Sequence, residues 1–103
     1  MYSVQYLPTA RQDMIEIVEY ITRVLKNPQA AEKLAREFVK RIELTRDFPY
    51  ANPSYQPIRK LKNEYRRIII ENYSVFYTVD EVKRIVTISR VIYSKRNLEL
   101  ELN

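Results

Sequence analysis

The chain contains no cysteine, no histidine and no glycine. Each absence removes a class of chemistry. Without cysteine there is no disulfide framework and no thiol nucleophile. Without histidine as well, Ser-His-Asp and Cys-His mechanisms are excluded, and so are ordinary zinc sites. Without glycine, neither the Walker phosphate loop nor the dinucleotide fingerprint can be built. No cofactor and no metal is therefore expected. The longest purely aliphatic run, Ile68-Ile69-Ile70, is far too short to span a bilayer, so no membrane association is expected. The opening Met1-Tyr2-Ser3-Val4-Gln5-Tyr6 lacks the charged start and apolar stretch of a secretory signal. The expectation is a cytoplasmic protein whose chemical tools are Arg, Lys, Tyr, Glu, Asp and hydroxyls.

What is present is enough for a core. Hydrophobic residues make up 46% of the 103 positions and aromatics 12%, which argues against disorder. The length suits one domain spanning residues 1–103, because two would each be near the lower limit for a self-sufficient core. The net charge is +5. Residues 1–50 carry 8 basic and 7 acidic side chains, whereas residues 51–96 carry 10 basic and 4 acidic. The excess sits in the C-terminal half and points to a polyanion-facing side there.

Period-two alternation of Tyr2, Val4 and Tyr6 predicts a short strand ended by Pro8. Thr9 has the character of a helix N-cap, with Gln12 completing a capping box. Ala10, Met14, Ile17, Val18, Ile21 and Leu25 then form one apolar stripe at helical spacing, with Asp13, Glu16, Glu19 and Arg23 beside or opposite it. Asn27 and Pro28 read as N-cap and first residue of a second helix. Its stripe is Ala31, Leu34, Ala35, Phe38, Ile42 and Thr45, and Pro49 stops it. So short a joint makes the two helices an antiparallel hairpin. A loop bearing Pro49, Pro53 and Pro57 follows. Three strands are then predicted: Glu64 to Glu71, a buried strand centred on the three isoleucines; Tyr73 to Val79; and Arg84 to Ile92. Asp80-Glu81 marks the turn between the last two, and the tail from Ser94 forms one short helix or frays. The order β-α-α-β-β-β makes the fold α+β, a helical hairpin packed on a small, mainly antiparallel sheet.

The candidate functional residues are cationic and aromatic. Arg59, Lys60, Lys62, Arg66 and Arg67 lie in and before the second strand, where alternation puts Arg66 and Arg67 on opposite faces. Arg90 comes from the last strand, and Lys95 and Arg96 follow it. With Tyr65, Tyr73 and Tyr93 among them, these residues would line one basic surface if their strands were neighbours. Basic side chains neutralise phosphates and tyrosines stack unpaired bases, so the surface suits a nucleic acid or an acidic partner. The competing assignment is half-buried tyrosines and solubilising edge charges. Met14 and Phe38 belong to the core, Glu16 and Glu19 to solvent, and Glu64 and Glu71 to structural ion pairs.

The opening Tyr2-Ser3-Val4-Gln5-Tyr6, then Pro8-Thr9-Ala10-Arg11-Gln12-Asp13 and Ile17-Val18-Glu19-Tyr20-Ile21, resembles the start of ParE-like toxins. Asn72-Tyr73-Ser74-Val75-Phe76-Tyr77 and Ile88-Ser89-Arg90-Val91-Ile92-Tyr93-Ser94-Lys95-Arg96-Asn97 resemble the C-terminal strands of the RelE/ParE superfamily. The resemblance covers nearly the whole chain. It implies the growth-inhibiting toxin of a type II toxin–antitoxin pair, with a cognate antitoxin and, through the antitoxin complex, operator DNA as partners. It also implies that the antitoxin occupies the sheet and hairpin surface, where an exposed strand edge invites an added strand. Within the superfamily, ParE-like members poison DNA gyrase and RelE-like members cut messenger RNA on the ribosome. The RelE-like chemistry needs a phosphate-binding arginine and a proton-transfer group tuned near neutrality. The resemblance offers Arg66, Arg67, Arg90, Tyr93, Lys95 and Arg96 as candidates for these roles. It departs at Ser74, where RelE-like enzymes typically carry an arginine, and in the missing histidine, near whose place Tyr93 stands. The expectation therefore leans to a ParE-like gyrase poison. The alternatives are a RelE-like endoribonuclease and an inactive relative that only binds antitoxin or nucleic acid.

Overall fold

The computed structural model describes residues 1–55, 63–96 and 98–102, so Pro57, Arg59, Lys60, Lys62 and Asn97 of the readings above lie outside the described residues. Strand β1 (Ser3–Tyr6) leads into helix α1 (Pro8–Glu19), which passes into a π turn (Tyr20–Val24). Helix α2 (Pro28–Glu43) ends in a 3-10 turn (Leu44–Arg46). Strands β2 (Arg66–Ile70), β3 (Tyr73–Asp80) and β4 (Ile85–Tyr93) follow, and a short helix α3 (Leu98–Leu102) closes the chain. The architecture is α+β, as the order of elements implied.

Local chemistry accounts for most of these boundaries, with two departures from the sequence reading. Helix α1 is not capped by Thr9. Pro8 occupies its first turn, and extended Leu7 stands at the cap with no side-chain bond. Proline needs no N–H partner and arrives with its φ preset, so the helix begins before Thr9 can cap it. The Thr9 hydroxyl instead donates to the Ser89 carbonyl at 2.9 Å, and the Gln12 amide donates to Glu16. The second departure is at the other end. The stripe predicted one helix through Leu25, but the backbone widens at Tyr20, and the Leu25 N–H reaches back five residues to the Tyr20 carbonyl. The extra residue in that turn rotates Val24 and Leu25 out into solvent. Asn27 caps α2 as expected, its side-chain oxygen accepting the Ala30 N–H at 3.1 Å. Helix α2 ends at Glu43, before Pro49 could stop it.

The sheet runs β1-β4-β3-β2. The last three strands are antiparallel in sequence order, and β1 adds to the far side of β4 in parallel. Strands β2 and β4 are therefore not neighbours; they flank β3. Alternation sends Arg66, Ile68 and Ile70 to the hairpin face and Tyr65, Arg67 and Ile69 to the other. Ile68 and Ile70 are buried, but Ile69 is 56% exposed, so the predicted buried strand buries one face only. Opposite β3, the register slips: Phe76 pairs with Arg90 and Tyr77 with Ile88, leaving Ser89 as a bulge. Without it, Arg90 would follow Val86 and Ile88 into the hairpin core. The bulge turns Arg90 to the other face.

The main core lies between hairpin and sheet and contains Ala10, Ile21, Leu34, Phe38, Ile42, Ile68, Val75, Tyr77 and Ile88. A smaller cluster on the opposite face joins Tyr65, Phe76 and Ile92 to Leu98 and Leu102 of α3. Three connections use left-handed backbone at non-glycine residues: Lys26 (φ 52°), Glu71 (φ 53°) and Arg84 (φ 58°). Among the described residues, no helix is long and apolar enough to cross a membrane.

Candidate functional site

The arginines proposed as one basic surface are dispersed and individually occupied. Arg66, on the hairpin face, donates to the Asn52 carbonyl at 2.6 Å and lies over the Tyr50 ring at 4.8 Å. Arg67, on the opposite face, donates from Nε to the Ser74 hydroxyl at 2.9 Å and packs against the Tyr55 and Phe76 rings. Arg90 stands across Phe76 from Arg67 in the same row of the sheet. It forms a bidentate pair with Asp13 at 2.7 and 3.0 Å, and its third nitrogen donates to the Glu101 carbonyl. The Asp13 hydrogen bond pushes the Arg90 pKa further up. Both partners are largely withdrawn from water, with side chains 24% and 13% exposed. Asp13 also accepts the Val91 N–H, so one carboxylate ties α1 to both the side chain and the edge of β4.

Lys95 and Arg96 are exposed after β4, and an Arg96 Nη lies 3.7 Å from Glu101. Ser74, where an arginine would suit phosphate chemistry, is fully buried and hydrogen-bonded to Arg67 and to the Ser94 hydroxyl. A longer side chain there would have to displace these partners. Glu64 and Glu71, expected in structural ion pairs, form none among the described residues; Glu64 accepts only a long bond from Ser54.

A cleft of about 750 Å³ opens beside the end of β4. Its walls include Asp13, Glu16, Ile17 and Tyr20 from α1 and the π turn, Asn72 and Tyr73 from the β2–β3 corner, and Val91, Tyr93 and Arg96 from the end of β4. The π turn brings its first residue, Tyr20, to this wall. Tyr73 and Tyr93 meet edge to face at 5.8 Å. Burial, reinforced by Tyr93, Glu71 and Tyr20, pushes the Tyr73 hydroxyl up. Of the sequence candidates, Tyr73, Tyr93 and Arg96 gather here. Asp13 and Glu16, which the pattern sets beside or opposite the apolar stripe, join them, and so does Tyr20, to which the pattern gives no role. Asp13 carried a signal: three residues after Ala10 and four before Ile17, it is a carboxylate set on the apolar stripe.

A second knot lies at the β3–β4 turn. Glu81 accepts hydrogen bonds from the Tyr2 hydroxyl at 2.7 and 2.8 Å and from Tyr50. Those hydroxyls hold the Glu81 carboxyl below its ordinary range, and the same bond pushes Tyr50 up to about 12. Burial likewise raises Tyr77, whose hydroxyl donates to the Pro49 carbonyl. These shifts move hydroxyls away from proton exchange at neutral pH.

A sequence profile described as the ParE toxin of the type II toxin–antitoxin system parDE matches residues 4–98. No curated protein matches the sequence. Among solved structures, the fold superposes on a chain of the chromosomal ParDE toxin–antitoxin system from P. aeruginosa with a TM-score of 0.73 and 18% identity, covering 92% of this chain and 98% of that one. A chain of the toxin–antitoxin complex RelBE2 from Mycobacterium tuberculosis aligns with a TM-score of 0.48 and 21% identity, covering 89% and 96%. One from the archaeal RelE–RelB complex of Pyrococcus horikoshii aligns at 0.48 and 13%, covering 92% and 97%.

Proposed function

From the premise that the chain belongs to the family of ParE toxins of type II toxin–antitoxin systems, we propose that it arrests growth by binding DNA gyrase in the cytoplasm, not by cutting RNA. A cognate antitoxin neutralises it, and the pair contacts operator DNA through the antitoxin. The observation that carries this reading is the commitment of the central arginines. Arg66 is spent on Asn52 and Tyr50, Arg67 on Ser74, and Arg90 on Asp13 and Glu101. Phosphoryl chemistry needs cations aimed at the charge that develops on the reacting phosphate. Here these cations hold the sheet together, and Ser74 leaves no arginine beside them. A toxin so built acts through its surface.

The test is growth after induction from a tightly controlled promoter, with labelled thymidine and leucine followed in parallel. A fall in thymidine incorporation with filamentous cells, and stabilised cleavage complexes when purified protein meets gyrase, is the expected result. An early fall in leucine incorporation with DNA synthesis continuing would assign the target to the ribosome. Unimpeded growth would leave only a binding role.

A further inference from the structure

The cleft beside β4 runs against the charge of its own protein. The chain carries +5 overall, yet Glu16 lines the cleft, and Glu71 stands at the β2–β3 corner next to the lining residue Asn72. Among the described residues, no lysine or arginine pairs with either carboxylate. Asp13 is already engaged by Arg90, and Arg96, the cation at the rim, faces Glu101.

Three tyrosines complete the lining. The Tyr73 and Tyr93 rings are inclined at 65° to one another, so they form a corner and not a stack. Phe38 backs Tyr73, edge to face at 6.1 Å, and keeps it in place from the core side. Tyr20 enters from the π turn as a third wall. Aromatic faces attract cations through the ring quadrupole, and a corner of faces with a nearby carboxylate surrounds a compact positive charge. A nucleotide would bring its phosphate toward the Glu16 carboxylate, which argues against base stacking as the purpose of these rings. The strand beside the cleft adds a further constraint. Strand β1 pairs with β4 only as far as Ile88. Beyond that point α1 closes the β4 edge, the Thr9 hydroxyl donating to the Ser89 carbonyl and Asp13 accepting the Val91 N–H. A partner therefore reaches the cleft with a side chain and not by adding a strand.

We propose that this cleft receives an arginine side chain presented by a partner polypeptide. The planar guanidinium packs on a tyrosine face and directs its N–H groups to Glu16 and to the Asn72 side chain, an arrangement that suits arginine better than lysine. The inference does not depend on which target the toxin attacks, and its test needs neither gyrase nor antitoxin.

The test titrates the full chain with N-acetyl-arginine methylamide while the tyrosine ring resonances are followed by NMR. N-acetyl-citrulline methylamide, the neutral isostere, is the control. Saturable shifts confined to Tyr20, Tyr73 and Tyr93 are expected, with the citrulline probe weaker by about 10-fold, the scale of one cation–π contact with its carboxylate. Glu16→Gln, at an exposed position, should keep the fold by circular dichroism and weaken the arginine probe by about 5-fold. Equal shifts from both probes, an unchanged affinity in Glu16→Gln, or tighter binding of adenosine or uridine monophosphate to the same rings would each overturn the proposal.

Discussion

On the hairpin face, β3 presents Tyr73, Val75, Tyr77 and Val79 to two long helices. On the other face the same strand presents Ser74 and Phe76 to a five-residue helix, two arginines and a loop tyrosine. The hairpin face is held by burial, which is non-directional and tolerates neighbours of many shapes. The opposite face is held by directional bonds: Arg67 to Ser74, Ser74 to Ser94, Arg90 to Asp13 and Glu101. A single strand thus carries both kinds of cohesion, divided by the pleat. The polar face gains orientation from this arrangement and depends on every partner being present.

The largest effect should come from the apolar side. Phe38→Ala empties a fully buried site and is expected to lower stability by about 3–5 kcal/mol in urea unfolding. A loss below 1 kcal/mol would mean that the hairpin core is not the principal source of cohesion. Next is the ion pair. Asp13→Ala strands a largely buried guanidinium and frees the Val91 N–H, with an expected loss of about 2–3 kcal/mol. Asp13→Ala should therefore cost more than truncating an exposed helix carboxylate such as Glu32, and equal costs would make the pair ornamental. Leu102→Ala thins the small cluster under α3 and should cost about 2 kcal/mol, the low end for a leucine truncation because a five-residue helix can settle into the gap, with faster amide exchange confined to α3. Global destabilisation matching that of Phe38→Ala would erase the distinction between the faces.

The smallest effect is a pH dependence at the Glu81 knot. The folded-state pKa of Glu81 is depressed, so its contribution is present above the ordinary carboxylate pKa and is lost as pH falls through the depressed value. Tyr50 is raised from 10.0 to about 12. Its contribution is present below pH 10 and lost as pH climbs through 12. Glu81→Gln should therefore lower Tm between these limits and converge on the parent protein in acid. A Tm difference independent of pH would assign the effect to packing.

Faces were legible in the sequence, whereas neighbours were not. The stripes of α1 and α2, the Asn27-Pro28 joint and the separation of Arg66 from Arg67 all follow from period, and period specifies direction from the backbone. Nothing in a period says which strand lies beside which. Arg67 and Arg90 share a face but stand apart, because β3 with Phe76 lies between their strands, and Arg66 is on the opposite face, so the three do not unite into one surface. The face of Arg90 was hidden for a second reason. One bulge residue, Ser89, inverts the parity of everything after it, and no glycine marks the place. Asp13 and Arg90 are 77 positions apart, beyond the reach of any local pattern. The aromatic cleft was half visible, in Tyr73, Tyr93 and Arg96. Its other half depended on the π turn that carries Tyr20.

The three left-handed corners have a consequence for how this chain can change over generations. Lys26, Glu71 and Arg84 hold a backbone shape that glycine adopts freely and that a side chain resists by about 1 kcal/mol. Glutamate and arginine codons each lie a single base from a glycine codon. A lineage selected for a longer-lived toxin thus has short mutational routes to a sturdier fold, and none of them requires touching the core.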